Sequence, residues 1–570
     1  MIDVPGIRVL HTYRREWLGR DVSTGLVLTG LLAPAGLAYA EASGLPPAAG
    51  LYASIIPLLV YAIAGPSRIM VVGPDSALTP LVAASVIPLL ATDPQHAVAV
   101  AGMLALVTGV LCVAAGLLKF GFVADLLSAP VRYGYLHGIA ITIIASQVPK
   151  LCGFSVPGES IGAQLRDFWH GLQDGRFNGA AFAVGAGCLV IILVLRAVSK
   201  RLPATLIAVV VGIVVALVFD LASHDVALVG DLPRGFPRPV WPGIGWHETT
   251  QLLGAAIGLA FVAFADTSVL SRTMAIRRGE DVDPNHEMIA LGLANAGSGL
   301  FGGFPISASN SRTPVAEDAG AQTQLTGVVA AAAMAIIAVA IPSLFRHLPE
   351  ATLAAIVLAA AVSLIDIPTM RWLYLSRRSE FALAVAAMVA VAVLGPIQGV
   401  GVAVGLSILN FLRLAWKPHT AELVRVDGLK GYHDRARHPE GRVIPGLLLY
   451  RFDAPLFFAN ARMFADDIRH RVATRAEPVQ CVIITAEPIT DVDATAAEAL
   501  RELLTELGGQ HIELRFAELK GTVHDRVDRY GISLGEQPVN TARTTGQAIK
   551  SYLRDYGVEW VDWEDRPADG

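Results

Sequence analysis

The sequence predicts an all-α polytopic membrane protein of about fourteen membrane segments, followed by a smaller α/β domain. Three observations carry this. The 570 residues are 54% hydrophobic and only 16% charged, with a mean hydropathy of +0.54, which is more apolar than a soluble enzyme of this size. Apolar runs such as 181–195, 206–219 and 326–341 recur through the first part of the chain. Each is at or a little below the roughly 17–25 residues that cross a bilayer. Beyond Trp416-Lys417-Pro418-His419 the composition becomes mixed and charged, as in a soluble domain.

Residues 1–21 are polar and show no small-residue cleavage site, so the first apolar run is expected to remain as a span. The segments fall near 22–42, 47–64, 75–91, 97–118, 122–147, 179–198, 203–222, 250–271, 285–301, 310–320, 324–344, 350–367, 380–395 and 397–415. An even number puts both ends on one side. About fifteen basic residues, among them Arg14, Arg15, Arg20, Arg68, Lys200, Arg201, Arg277 and Arg278, fall on that side. About six, including Lys150, Arg166, Arg176, Arg234 and Arg346, fall on the other. The excess predicts cytoplasmic termini.

Two segments open unusually. Phe304-Pro305-Ile306-Ser307-Ala308-Ser309-Asn310-Ser311-Arg312-Thr313-Pro314 places a cation, several hydroxyls and two prolines between apolar runs. A charge within a span costs about 2.5–3.5 kcal/mol on insertion scales, so it is expected to face a cavity. Arg suits an oxyanion. Gly73-Pro74-Asp75-Ser76-Ala77-Leu78-Thr79-Pro80 opens another short segment, seven earlier. Paired interrupted segments point to an inverted repeat with two half-helix N-termini meeting near the midplane, where free N–H groups favour an anion.

The remainder reads as a linker at 417–440, a cytosolic domain at 441–556 and a disordered tail at 557–570. Strands at 443–452, 481–485 and 512–516 alternate with helices at 459–475 and 495–507, giving an α/β domain.

Pro34-Ala35-Gly36-Leu37-Ala38-Tyr39-Ala40, followed by Gly44-Leu45-Pro46-Pro47-Ala48-Ala49-Gly50-Leu51-Tyr52-Ala53-Ser54, closely resembles the signature of the SulP sulfate-permease family, whose animal relatives include prestin and pendrin. Gly73-Pro74-Asp75-Ser76-Ala77 and the stretch 285–312, with Gly302-Gly303-Phe304-Pro305 inside it, continue the match. Asp453-Ala454-Pro455-Leu456-Phe457-Phe458-Ala459-Asn460 resembles the STAS domain of those proteins. The resemblance implies a seven-plus-seven inverted repeat, core and gate domains, elevator-like movement and a homodimer in the plasma (inner) membrane. It places an anion pocket between the first, third, eighth and tenth segments. Ala35, Tyr39, Ser76, Ala77, Ser311 and Arg312 match pocket or adjacent positions. Ala35 departs from the pattern, because many members carry Gln after this Pro. Losing that amide shifts recognition toward backbone dipoles and the tenth segment.

Asp266 ends an apolar run, which makes it a candidate for cation coupling. The family holds an acid there, linked to sodium or proton coupling. Sodium–bicarbonate members add a Thr four residues on, where this chain has Leu270, and that favours protons. The structural alternative is an acid pairing with Arg312 across the cavity. Thr495 matches a position that anti-sigma antagonists phosphorylate, and the alternative there is plain helix capping by Asp493. Glu41 is expected at a solvated span end. Gly401 and Gly405 have GxxxG spacing, expected to mark close helix packing.

Other classes find little support. The net charge of −5 argues against a nucleic-acid binder. Cys112, Cys152, Cys188 and Cys481 show no CxxC spacing, and neither a Walker A motif nor HExxH occurs, so no enzyme, cofactor or metal is expected. The leading expectation is proton-coupled transport of a small inorganic oxyanion, sulfate first. Bicarbonate or dicarboxylate transport, with sodium or protons, is the alternative. A membrane-anchored STAS signalling protein is a different class, against which the paired polar breaks argue.

Overall fold

The computed structural model describes residues 6, 12–90, 94–122, 128–156, 161–199, 203–233, 235–532 and 541–565. Lys200, Arg201, Arg234, residue 91 of the third predicted segment, residues 123–127 of the fifth, most of 1–11 and the last five tail residues lie outside this set. The chain divides into two compact units, Met1–Ile408 and Leu409–Gly570.

In the first unit, each predicted segment contains a helix: α1 Leu18–Ala42, α2 Pro47–Ala64, α3 Thr79–Leu90, α4 Pro94–Leu117, α5 Ala129–Leu151, α6 Gly179–Val198, α7 Ala204–Val218, α8 Leu253–Arg278, α9 Pro284–Leu300, α10 Arg312–Asp318, α11 Leu325–Ala340, α12 Glu350–Leu364, α13 Arg378–Leu394 and α14 Pro396–Trp416. The unit boundary falls within α14. Among the described residues, seven helices are long and apolar enough to cross a membrane by length and composition alone. Two of the others are short for a visible reason. Helices α3 and α10 have twelve and seven residues, because each begins at a polar, proline-bearing break.

The helices pack in two groups. Helix α1 lies on α2 and α11, α2 on α9, and α4 on α3, α8 and α9. In the second group α5 lies on α12 and α13, and α6 on α7 and α12. Helix α1 spans the two, touching α7 and α12. Small residues let backbones meet. A Cβ on Gly50 would stand 1.9 Å from the carbonyl oxygen of Gly36, and one on Gly109 would stand 2.6 Å from that of Gly292. The GxxxG pair is different: a Cβ at Gly401 or Gly405 would meet nothing within 4 Å. Among the described residues the motif therefore mediates no close packing, contrary to expectation.

Polar side chains pin the first group where packing alone would not. Asp21, fully buried, accepts hydrogen bonds from the Gln322 N–H (2.7 Å) and the Thr323 hydroxyl (2.7 Å), tying α1 to the start of α11. Glu287, also fully buried, accepts from Tyr61 (2.5 Å) and Ser271 (2.8 Å), joining α9, α2 and α8. Each carboxylate thereby meets donors that offset its desolvation.

In the second unit, six strands form one sheet in the order β4-β3-β5-β6-β7-β8. They are β3 Thr420–Arg425, β4 Tyr432–Asp434, β5 Leu447–Phe452, β6 Cys481–Thr485, β7 Glu513–Ala517 and β8 Thr541–Ala542. Strand β3 runs antiparallel to β4 and β5, while β5 to β8 are parallel. Helices α15 Ala461–Thr474, α16 Ala494–Gly509, α17 Gly521–Arg529 and α18 Thr545–Tyr556 complete the unit. Strand β5 is apolar on both faces, as a covered parallel sheet requires. Leu448, Tyr450 and Phe452 join the core formed with α15 and α16, while Leu447 and Leu449 join Ala548, Ile549 and Tyr552 of α18.

Two boundaries differ from the sequence reading. Residues 417–440, expected as a linker, carry β3 and β4 of the sheet. The tail, expected to be disordered, folds back through Asp562 and Glu564. Arg425, 3% exposed in its side chain, reaches Asp562 at 2.8 Å and Glu564 at 3.1 Å. Its guanidinium lies 5.5 Å from the Trp563 ring centroid, and Arg442 lies 4.5 Å from that of Trp560. An acidic, aromatic tail reads as solvated chain until a buried arginine is found for it to meet.

Candidate anion site

The two polar breaks meet. Just before α3, β1 Val72–Gly73 pairs antiparallel with β2 Ser307–Ala308, which precedes α10. Val72 lies opposite Ala308 and Gly73 opposite Ser307. The Ser309 N–H donates to the Val71 carbonyl (2.9 Å) and the Val71 N–H to the Thr313 hydroxyl (3.1 Å), extending the crossing at both ends. Isolated two-residue strands are not stable alone, and neighbouring helices hold these. The Asn295 side chain of α9 exchanges two hydrogen bonds with the Ile306 backbone (2.8 and 3.0 Å). Thr267 of α8 accepts from the Ala308 N–H (3.2 Å). Asn295 and Thr267 have scaffold roles that sequence reasoning missed, since a polar residue on an apolar helix shows no partner until the chain is folded.

Arg312 begins α10 and is 5% exposed. Its Nη2 donates to the Pro74 carbonyl and stands 4.0 Å from Asp75 Oδ1. Its Nε and Nη1 are buried with no hydrogen-bond partner among the described residues. A buried guanidinium with two unused donors is costly unless something else receives them. Ser309 accepts from the Arg312 backbone N–H (3.3 Å) and shares a hydrogen bond with Ser311 (3.2 Å). Ser311 and Asn310 are exposed while Ser307, Ser309, Arg312 and Thr313 are buried, so the site opens at the α10 start.

Across the crossing, Ser76 and Ala77 are buried. The Ala77 N–H already donates to Asp75 Oδ2 (3.1 Å), and the Asp75 carbonyl accepts from the Thr79 hydroxyl (2.8 Å). Asp75 thus takes a donor that the sequence reading left for the anion. Tyr39 lies beside Ser76, with Asp75 and Arg312 in electrostatic reach. Ala35, also buried, lies one turn earlier on the same face of α1.

Asp266 lies within α8 and accepts from the Tyr135 hydroxyl of α5 at 3.1 Å. The carboxylate beside Arg312 is Asp75, not Asp266, which corrects the expected pairing across the cavity. Tyr135 carried no signal in the sequence, because a tyrosine on an apolar helix face is ordinarily core. Glu41 is also placed differently from expectation. It is half-buried, and Lys150 donates to its carboxylate (3.2 Å) and to its backbone carbonyl (2.9 Å).

Thr495 is exposed in the first turn of α16. The cap belongs to Asp493, which accepts from the Ala496 N–H (2.8 Å) and, through its other oxygen, from the Phe458 N–H (2.9 Å).

Comparison with known proteins matches this architecture. The model of the sulfate permease family covers residues 18–387, and that of the STAS domain covers residues 438–548. A probable sulfate transporter of Mycobacterium tuberculosis is 39% identical over 520 residues, 90% of this chain and 92% of the relative. The chloroplastic sulfate transporter 4.1 of Arabidopsis thaliana is 30% identical over 546 residues, 93% of this chain and 79% of the relative. The structure of SLC26A9 superposes with a TM-score of 0.89 at 21% identity, covering 97% of this chain and 93% of that one. The transmembrane domain of a cyanobacterium bicarbonate transporter, BicA, gives 0.60 at 23% identity, covering 69% of this chain and 98% of that domain. With a family model over residues 18–387 and a relative 39% identical across 90% of the chain, the chain belongs to the sulfate permease family of anion transporters and carries a C-terminal STAS domain.

Proposed function

We propose that this protein carries sulfate across the plasma membrane, driven by protons, through elevator-like movement of one helix group against the other. Arg312 carries the reading, since it is buried where the two breaks cross and has Nε and Nη1 unclaimed. These two N–H groups leave different edges of the guanidinium, and each offers an oxyanion a charge-assisted hydrogen bond. Ser76, Ser311 and Tyr39 are the neighbouring hydroxyls that would complete its shell, with Ala77 and Ala35 forming the wall. The names of the relatives, probable sulfate transporter and sulfate transporter 4.1, support sulfate over other small anions.

Asp266 is the proton-coupling acid in this reading. It sits on α8 of the first group and receives its hydrogen bond from Tyr135 on α5 of the second. A group that changes protonation at that junction can bias movement between the groups. Two half-helices leaving one crossing, seven segments apart, support an inverted repeat. The excess of basic residues on one side supports cytoplasmic termini and a cytoplasmic STAS domain. The chain is expected to work as a homodimer. Thr495 remains a candidate phosphorylation site, exposed at a helix start where added phosphate is electrostatically favoured.

The test is uptake by reconstituted vesicles. Labelled sulfate should accumulate under an inward proton gradient, and Arg312→Ala should abolish accumulation. Uptake that follows sodium alone would remove the proton, and bicarbonate or a dicarboxylate displacing sulfate at far lower concentration would replace the substrate.

A further inference from the structure

Arg196 is a cation outside the site assembled above. It lies near the end of α6, in the second helix group, and is exposed. Its Nη1 donates to the Ala359 carbonyl of α12 at 3.3 Å. Among the described residues no carboxylate pairs with it. The ionisable group in its electrostatic reach is Tyr39 of α1, which also lies in reach of Arg312.

An unpaired guanidinium on a membrane helix is expensive and is relieved in one of two ways. It can stretch past the helix end to the interface, or it can face a water-filled cavity. The Ala359 contact decides between them. Ala359 lies five residues before the end of α12 at Leu364, about 7 Å inside it. The side chain has therefore turned toward the bundle, not past Val198. Helix α12 also packs on α1, which carries Tyr39. Arg196 thus approaches the Tyr39 side of the site from the opposite helix group.

We propose that Arg196 is a second anion-contacting residue, facing the Arg312 site from the other helix group and favouring divalent over monovalent anions. The inference rests on the reading that the Arg312 break binds a small oxyanion. Its physical content is the scaling of Coulomb attraction with anion charge. Loss of a cation that weakens a dianion tenfold should weaken a monoanion by about the square root, roughly threefold.

The experiment uses the full chain in proteoliposomes. It measures the half-saturating concentration of sulfate and the inhibition constant of nitrate, a monovalent anion. Arg196→Gln should raise the first about tenfold and the second about threefold, while Arg196→Lys holds both near wild type. Arg196→Cys gives the same reading on one folded protein, since the four native cysteines are buried. A thiol reagent carrying an ammonium group should restore sulfate affinity, and one carrying a sulfonate should depress it further. Unchanged constants, equal shifts for both anions, or indifference to the sign of the reagent would overturn the proposal. Absence of sulfate uptake by the wild-type chain would instead overturn the transport reading on which it rests.

Discussion

Asp75 tests the electrostatics of the site most directly. Its Oδ1 stands 4.0 Å from Arg312 Nη2, while its Oδ2 holds the Ala77 N–H. An anion bound to Arg312 Nε or Nη1 therefore shares that guanidinium with a fixed carboxylate and is repelled by it. At 4 Å, two unit charges interact by about 4 kcal/mol at an effective dielectric of 20, and by about 1 kcal/mol in water. The anion lies farther from Asp75 than Arg312 does, and the site opens at Ser311, so roughly 1.4–2.8 kcal/mol of repulsion remains. Asp75→Asn keeps an oxygen for the Ala77 N–H and removes the charge. Sulfate affinity should rise about ten- to hundredfold, and turnover should fall because release slows. Arg312→Ala should lose uptake, and adding Asp75→Asn to it should recover part of the affinity by removing the uncompensated carboxylate. The assay is the concentration and rate dependence of labelled sulfate uptake, corrected for inserted protein. Unchanged or weaker sulfate affinity in correctly folded Asp75→Asn would refute the placement of the anion beside Arg312.

Three further predictions address coupling and stability. Asp266→Asn should abolish sulfate accumulation driven by a proton gradient while sulfate–sulfate exchange continues, and Tyr135→Phe, which loses only the 3.1 Å hydrogen bond, should have a milder effect on the same two assays. Gly50→Ala would place a Cβ 1.9 Å from the Gly36 carbonyl oxygen. It should cost about 3 kcal/mol or more and lower the melting temperature of the purified protein, whereas Gly401→Ala should stay within about 0.5 kcal/mol. In the STAS unit, Asp562→Ala should destabilise by about 2 kcal/mol, less than the loss of a fully buried pair because Glu564 still meets Arg425. Burial pushes the Asp562 carboxyl up, but hydrogen bonds from Arg425 and the Glu564 N–H, with the charges of Arg425 and Arg442, outweigh it and hold the carboxyl below its ordinary range. Its contribution is therefore complete above the unfolded carboxylate pKa of about 3.9 and disappears as pH falls through the lower folded value, so the wild-type and variant melting curves should converge in that acid range.

Much of this protein was legible in one dimension. Segment positions follow from apolar runs, because a bilayer tolerates no unsatisfied backbone and every span must be a helix. The breaks at Gly73-Pro74-Asp75 and Ser309-Asn310-Ser311-Arg312 were legible because polar, proline-bearing sequence inside a span needs a reason. The strands of the C-terminal domain showed as apolar runs, since both faces of its parallel sheet are covered. Residues 420–434 and 560–565 did not. Their pairing depends on Arg425, which only the folded sheet buries.

The sequence alone determined the class, the segments and Arg312 as the residue to watch, since hydropathy and the cost of a charge in lipid are local properties. The tertiary structure alone decided who meets whom. Only after Val72–Gly73 crossed Ser307–Ala308 did Asp75 become the carboxylate beside Arg312. Only the packing of α5 on the site gave Asp266 its partner in Tyr135. These contacts join residues more than a hundred positions apart, and no periodicity or spacing encodes which of many buried polar groups will be neighbours once the helices pack.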